Sequence, residues 1–195
     1  MLQIPFKTSA PCDLVSPLLQ HLSTEYSADT ADEKLANLQK FQLMRNGATG
    51  VTAASDEGLH LLLTYQAQLT QVARRLVLPA ESAQPSFAWN DAFIKGKVAE
   101  QTAFAFERSA VLFNCGAVES ALGAAQDRST EDGLKKACKA FQNAAGYFGT
   151  CKSLLPQLAG KGAVTPDTTL QGLGMAAALM LAQAQACYYE MAVSD

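Results

Sequence analysis

The side chains in this sequence that could carry chemistry are its histidines, its paired carboxylates and its cysteines. His21 and His60 have no Cys or carboxylate neighbours at metal-ligand spacing. The acidic pairs at 56–57 and 131–132 each open a predicted helix, where the helix dipole favours negative charge. The sequence contains no phosphate-binding glycine loop, nucleophile elbow or zinc-protease motif. These patterns predict a protein that is not an enzyme, with no catalytic residue, no metal and no cofactor.

The cysteine pattern, the net charge and the N-terminal residues exclude further classes of protein. The chain has 195 residues with five cysteines, an odd count without C-x-x-C spacing, which predicts reduced thiols packed as small apolar side chains. A net charge of −3 gives no general attraction for phosphates, so no nucleic-acid partner is expected. The opening residues MLQIPFKTSA lack a basic start and an apolar run, which favours a cytoplasmic location.

Most of the chain has the apolar periodicity of α-helices, so helices are predicted to position these side chains. Asp13, Ser55 and Thr130 are predicted to open helices, and Pro166 after a cap residue predicts the start of the last one. The predicted helices cover about 13–26, 30–46, 55–76, 99–125, 130–155 and 165–193. Alternating apolar residues at 2–6 predict one short strand, and residues 79–87 are predicted to form a linker.

Small residues concentrate in the last three predicted helices, where Gly and Ala would let helix backbones approach closely. This composition is typical of stacked helical hairpins of the tetratricopeptide kind, although no 34-residue period is visible. The fold class predicted is all-α: an elongated helical array with tetratricopeptide-like helical hairpins and a short N-terminal strand element.

Two stretches are specific enough to suggest a family. Residues 87–93 read FAWNDAF, and residues 105–117 read AFERSAVLFNCGA. Together they resemble the W-x-D-A-F and F-E-[KR]-x-x-V-L-F-N-x-[GA]-A signature of the BRO-one domain of ALIX-type and rhophilin-type endosomal adaptors. Residues 131–137 (EDGLKKA) and 181–186 (LAQAQA) are also similar to that family. The likeness runs in order along the chain from about residue 4.

The resemblance implies a banana-shaped helical adaptor that docks the C-terminal amphipathic helix of an ESCRT-III subunit of the Snf-seven or CHMP-four class. It implies a role in endosomal sorting and membrane budding, with recruitment from the cytoplasm to endosomes and peripheral association with their membrane. A complete domain of the family is nearly twice as long, so residues 1–195 would be its N-terminal half. The apolar face of residues 179–191 would then lack its next helix, and we expect self-association through it.

Three residues are the candidate partner-binding site. Tyr188 matches a family position where an aromatic ring anchors the partner helix, although the same ring could be core. Tyr189 points about 100° away on a helix, so the two rings are not expected to share one face. Lys135 and Lys139 lie one helical turn apart and could steer an acidic helix, or could form a solvated face. The aromatic residues of the signature are assigned to packing: Phe87, Trp89, Phe93, Phe106 and Phe113.

Two other functions remain open at this stage. The first is a small-GTPase signalling scaffold of the rhophilin kind; a structural fragment without a partner is a separate alternative with no binding function. The second is an enzyme whose site follows no known motif, which a screen for turnover would reveal.

Overall fold

The computed structural model describes residues 1–76, 78–79, 83–160 and 162–193. Six α-helices dominate these residues, together with one hairpin of two strands. The predicted all-α class with helical hairpins is therefore confirmed. The helices are α1 (Val15–Glu25), α2 (Ala28–Thr49), α3 (Asp56–Arg75), α4 (Phe104–Ala124), α5 (Glu131–Leu158) and α6 (Leu170–Val193).

Helix starts follow local capping chemistry. The hydroxyl of Ser55 accepts a hydrogen bond from the Gly58 amide at 2.9 Å, and Thr130 accepts one from the Gly133 amide at 3.1 Å. Both caps were predicted from the sequence. Asp13 also accepts from the first amides of α1, and hydrogen bonding by Ser16 lowers the pKa of its carboxylate.

The strand element was predicted in the wrong place. Residues 2–6 form no strand, because the backbone of this segment bonds to side chains instead of to another strand. The Ile4 amide donates to the Ser120 hydroxyl at 2.8 Å, and the Lys7 amide donates to the Asn114 side chain at 2.8 Å. Gln183 of α6 donates to the Leu2 carbonyl at 2.9 Å. The alternation of apolar residues thus marks a segment docked on α4 and α6.

The hairpin consists of β1 (Phe87–Asn90) and β2 (Val98–Gln101), which pair antiparallel with Trp89 opposite Ala99. Ser9 adds one isolated bridge to Trp89. The start predicted at 99 for the fourth helix is therefore wrong, since these residues pair in β2. Of the predicted linker at 79–87, residues 80–82 lie outside the described part of the chain.

Two predicted helix ends are also wrong. Gly47 lies inside α2, which continues to Thr49, and Pro156 lies inside α5, which continues to Leu158. Thr165 and Pro166 open a 3₁₀ turn, Pro166–Thr168, ahead of α6. Packing of the buried faces onto neighbouring helices outweighs a single weak helix former near a helix end.

Helices α4, α5 and α6 pack one on the next in sequence. Small residues permit the close approach: a Cβ added to Gly116 of α4 would lie 2.7 Å from the ring of Phe148 on α5. Ala137, Ala144 and Ala176 are fully buried in the same core. This part of the molecule is the stack of helical hairpins that the Ala and Gly content predicted.

A second core joins α1, α2 and α3 to the hairpin and to the first half of α4. A buried carboxylate, Glu107, lies inside it. One Glu107 oxygen accepts from Arg45 Nε at 2.8 Å and from the Tyr65 hydroxyl at 3.0 Å. The other oxygen accepts from the Trp89 indole at 2.5 Å. Burial raises the pKa of Glu107, while the Arg45 charge and these three hydrogen bonds act in the opposite direction.

A second buried polar cluster ties the N-terminal segment to the hairpin and to the start of α6. Lys7 Nζ lies 2.5 Å from Asp167 Oδ2 and 3.0 Å from the Thr165 hydroxyl. Asp167 also accepts from the Ala92 amide at 2.7 Å, and its own amide donates to Asp91 at 3.1 Å. Burial lowers the pKa of Lys7, while the Asp167 charge opposes that change.

Candidate partner-binding groove

Tyr188 lies on the surface, in a groove between α5 and α6. Its side chain is 62% exposed, so the alternative that Tyr188 is core does not apply. Leu181, seven residues earlier on α6, is 55% exposed and lines the same groove. Residues seven apart lie on one face of a helix, so the two side chains form an apolar stripe beside α5.

The groove has a volume of about 290 Å³. Two residues of α5, Cys138 and Gln142, form its second wall, and Ala184 is its buried floor. The small floor residue, between the apolar stripe of α6 and the α5 wall, leaves room for side chains of another helix. The lining carries no charged group, so binding here would depend on apolar contact and on the two glutamine amides of the lining.

Tyr189 faces away from this groove. It is 66% exposed, and Met175 and Val193 are exposed close to the same angle around α6. The buried face of α6, which includes Met180 and Cys187, lies on the opposite side of the helix. The two adjacent tyrosines thus belong to different surfaces, as the 100° separation predicted.

The two lysines of the predicted site line a different groove. Lys135 and Lys139 border a cavity of about 480 Å³ together with Glu119 and Asn143, on the α4 side of α5. Lys135 pairs with Glu131 one turn earlier, and both side chains are more than half exposed. Such surface pairs contribute little stability, about 0–1 kcal/mol. The structure therefore does not bring Lys135 and Lys139 into contact with Tyr188. The two lysines form a lysine ridge on α5, the helix that separates their groove from the Tyr188 groove.

The end of α6 is fixed beside the groove by an ion pair. Arg128, in the turn between α4 and α5, donates through two guanidinium nitrogens to the Glu190 carboxylate, two residues beyond Tyr188. Hydrogen bonding to Glu190 raises the pKa of Arg128. The two groups are each about one-third exposed, and their bidentate geometry restrains the orientation of α6.

Sequence reasoning missed several members of these sites. Leu181 was noted only as part of a family-like stretch, although its spacing of seven from Tyr188 carried the signal. The polar role of Trp89 was missed because its indole was assigned to packing alone. Phe93 was assigned to packing as well, and this was wrong: it is 47% exposed at the hairpin tip, whereas the other four signature aromatics are buried.

The described residues contain no cluster of three or more metal-ligand side chains. All five cysteines are free thiols. No described helix has the length and apolar character needed to cross a bilayer. The described residues thus form a helical module that has an open groove between α5 and α6 on its surface.

A family model confirms the class. The model described as BRO1-like domain matches residues 1–195, and this chain belongs to that family. This is the BRO-one domain that the two signature stretches resemble.

The relatives and solved structures agree with this assignment. The chain is 34% identical to human Rhophilin-1 over 97% of its length, and 33% identical to the Vacuolar-sorting protein BRO1 of Arabidopsis thaliana over 100%. It covers only 27% and 24% of those two proteins. The solved structure described as "ALIX BRO1 CHMP4C complex" matches 99% of this chain, with a TM-score of 0.87 and 26% identity, and 56% of that chain is covered.

Proposed function

We propose that this chain is a protein-binding adaptor module that docks an amphipathic helix of an ESCRT-III subunit. The observation that carries the proposal is the likeness, at a TM-score of 0.87, to an ALIX BRO1 domain described in complex with CHMP4C. Two features of this chain support it: the groove between α5 and α6, and the exposed stripe of Leu181 and Tyr188 along its wall. Partner helices commonly dock apolar residues into a groove of this kind.

The biological setting belongs to the same proposal. The chain binds its ESCRT-III partner in endosomal sorting and membrane budding. It is located in the cytoplasm and is recruited to endosomes. The support for this setting is that one relative is named a vacuolar-sorting protein and another a pH-response regulator of the palA/RIM20 type. We further propose that residues 1–195 correspond to the N-terminal half of the complete domain, consistent with the 56% coverage of the solved ALIX BRO1 chain.

The decisive experiment is a calorimetric titration with an acidic amphipathic peptide that has the sequence of an ESCRT-III C-terminal helix. Tyr188→Asp should weaken binding at least about 30-fold, because losing an aromatic hot spot costs about 2 kcal/mol or more. Tyr26→Asp is the matched control, because it makes the same chemical change at an equally exposed tyrosine at the end of α1, away from α6. If both variants bind as the wild type does, the groove is wrongly assigned.

The lysine ridge gives a second, weaker test of the same site. Lys135→Ala with Lys139→Ala should slow association and flatten its dependence on salt, because these charges lie beside the groove and not inside it. Replacing Lys34 and Lys40 on α2 removes equal charge from exposed positions elsewhere. An equal effect of both pairs would show only that net charge matters.

We also propose self-association through the face of α6 at residues 179–191, where Tyr189 is exposed; Met175 and Val193, both more than half exposed, extend this face beyond those bounds. Exposed apolar side chains on one helix face commonly mark a contact surface. Sedimentation at increasing concentration should show dimers for the wild type and monomers for Tyr189→Asp. A wild type that stays monomeric throughout would exclude this contact.

A second candidate function is a small-GTPase signalling scaffold of the rhophilin kind. Its support is the 34% identity to human Rhophilin-1. A pull-down with GTP-loaded small GTPases separates the two. Retention of a GTPase by a Tyr188→Asp variant that no longer binds the ESCRT-III peptide would favour the scaffold.

A further inference from the structure

A cavity of about 510 Å³ lies at the opposite end of α5 from the Tyr188 groove. It is formed where the end of α3, the start of α4 and the end of α5 meet. Its lining is mixed: apolar side chains of Leu76, Leu78, Phe104 and Pro156 lie beside the polar side chains of Gln84, Thr102, Gln157 and Arg108. This volume lies in the range of small-molecule sites.

The cavity contains one charged group, the guanidinium of Arg108. Its Nε atom is buried and has no hydrogen-bond partner in the described residues. Within that part of the chain no carboxylate forms an ion pair with it, whereas the buried cations Arg45 and Lys7 each have one. A buried polar atom without a partner is rare in native structures, and a partly desolvated cation without a counterion is unfavourable.

The surroundings of Arg108 increase the positive potential. Arg74, in the last turn of α3, acts on Arg108 as a second positive charge. Burial, and then the Arg74 charge, lower the pKa of Arg108. The cavity is also bordered by Ala103, Phe104 and Ala105 at the start of α4, where no side chain caps the helix. The first amides of an uncapped helix add a partial positive charge.

The structure assigns this cavity as a binding site for an oxyanion carried on an apolar group, with Arg108 as the residue that bonds the oxyanion. Arg108 offers a positive charge and the N–H donors of its guanidinium group, which suit a carboxylate or a phosphoryl group. The volume exceeds what a bare anion needs, and Leu76, Phe104 and Pro156 offer apolar contacts, so the cavity suits an oxyanion that carries a small hydrocarbon or aromatic body. This site is separate from the groove proposed for the partner helix and does not depend on it.

The probes are phenylphosphate, inorganic phosphate and phenol, titrated into the whole chain and followed by the NMR shifts of the Arg108 Nε–H and of the amides at 103–105. Phenylphosphate should bind at least about tenfold more tightly than inorganic phosphate, because its ring removes apolar wall from water. Phenol should bind more weakly than phenylphosphate. Phenol binding as tightly as phenylphosphate, or no shift at Arg108 with any probe, overturns the assignment.

Two variants test the role of Arg108. Arg108→Gln should raise the dissociation constant for phenylphosphate at least about tenfold, as expected for a lost charge-assisted hydrogen bond. Arg75→Gln is the matched control, since it removes one charge from an exposed neighbour outside the lining. Equal weakening by both variants would show a diffuse charge effect and contradict the site.

Thermal unfolding supplies an independent measurement. Phenylphosphate should raise the melting temperature of the wild type and leave that of Arg108→Gln unchanged, because only a ligand that binds the folded state stabilises it. Glu81 lies outside the described residues, in the sequence between the lining residues Leu78 and Gln84. Glu81→Gln therefore tests whether the carboxylate of this residue fills the cavity. If that variant binds phenylphosphate and the wild type does not, a carboxylate of the chain itself occupies the cavity and the proposal fails.

Discussion

The two cores of this molecule keep their shape by different means. The core of α1–α3 and the hairpin is organised around Glu107, a buried carboxylate that receives three hydrogen bonds. The core of α4–α6 is organised by small residues that admit aromatic rings, as Gly116 admits Phe148. The first arrangement depends on charge pairing and the second on volume, so the same kind of substitution should have different consequences in each.

The largest expected effect comes from breaking the charge pair. Glu107→Gln keeps the shape of the side chain but leaves Arg45, which is 1% exposed, without its counter-charge. We expect a loss of about 3–5 kcal/mol in the free energy of unfolding, measured by urea denaturation, as for other buried pairs that lose one partner.

The surface provides the control for that experiment. Glu131→Gln makes the same chemical change in an exposed pair with Lys135, and it should cost less than about 1 kcal/mol. Similar losses in the two variants would show that burial does not govern the Glu107 pair.

The next effect tests volume in the other core. Gly116→Ala would place a methyl group 2.7 Å from a ring carbon of Phe148, and we expect a loss of about 1–3 kcal/mol from overpacking. Gly146→Ala in α5 has no atom within 4 Å and should instead stabilise the helix by about 0.5–1 kcal/mol. Opposite signs in the two denaturation curves are the expected result; equal signs would contradict the packing role of Gly116.

The smallest effect concerns pH and the cluster at the hairpin. Although burial alone would raise it, the pKa of Asp91 is lowered by hydrogen bonds from the amides of Phe93, Asp167 and Ile94. A lowered pKa in the folded state means that this carboxylate stabilises the fold above its ordinary value of 3.8. That contribution is lost as the pH falls below 3.8 and through the lowered pKa.

Asp91→Asn should therefore cost about 1 kcal/mol at pH 7 and less at pH 2, because the contribution of the carboxylate declines below pH 3.8; urea denaturation at both pH values measures it. Asp32→Asn, at an exposed position on α2, is the control. A cost for Asp91→Asn that does not change between the two pH values would show that the charge of the carboxylate is not what matters.

The same contrast explains what the sequence could predict. The α4–α6 core follows from local patterns, because a run of Ala and Gly at helical spacing and caps such as Thr130 are visible in neighbouring residues. The Glu107 cluster joins Arg45, Tyr65 and Trp89 from three separate elements, and no local pattern connects them. The N-terminal strand was predicted wrongly for the same reason, since its partners lie more than 100 residues away.

The candidate site was predicted only in part. Tyr188 was proposed because a family resemblance marked it, and helical geometry separated it from Tyr189. The position of Lys135 and Lys139 was missed because sequence spacing places residues on a helix face without showing which neighbouring helix that face meets. Arg108 was visible in the signature, but its lack of a carboxylate partner among the described residues emerges only when α3, α4 and α5 are packed together.

The docking of the N-terminal segment also sets an order of events during synthesis. Leu2 is bonded by Gln183, a residue 181 positions later, and Lys7 is paired with Asp167, 160 positions later. A ribosome makes these first residues many seconds before their partners, at about 5–20 residues per second. This segment is therefore synthesised well before Asp167 and Gln183, which hold it, and the hydrogen-bonded cluster of Arg45, Tyr65, Trp89 and Glu107 can form before those residues are made.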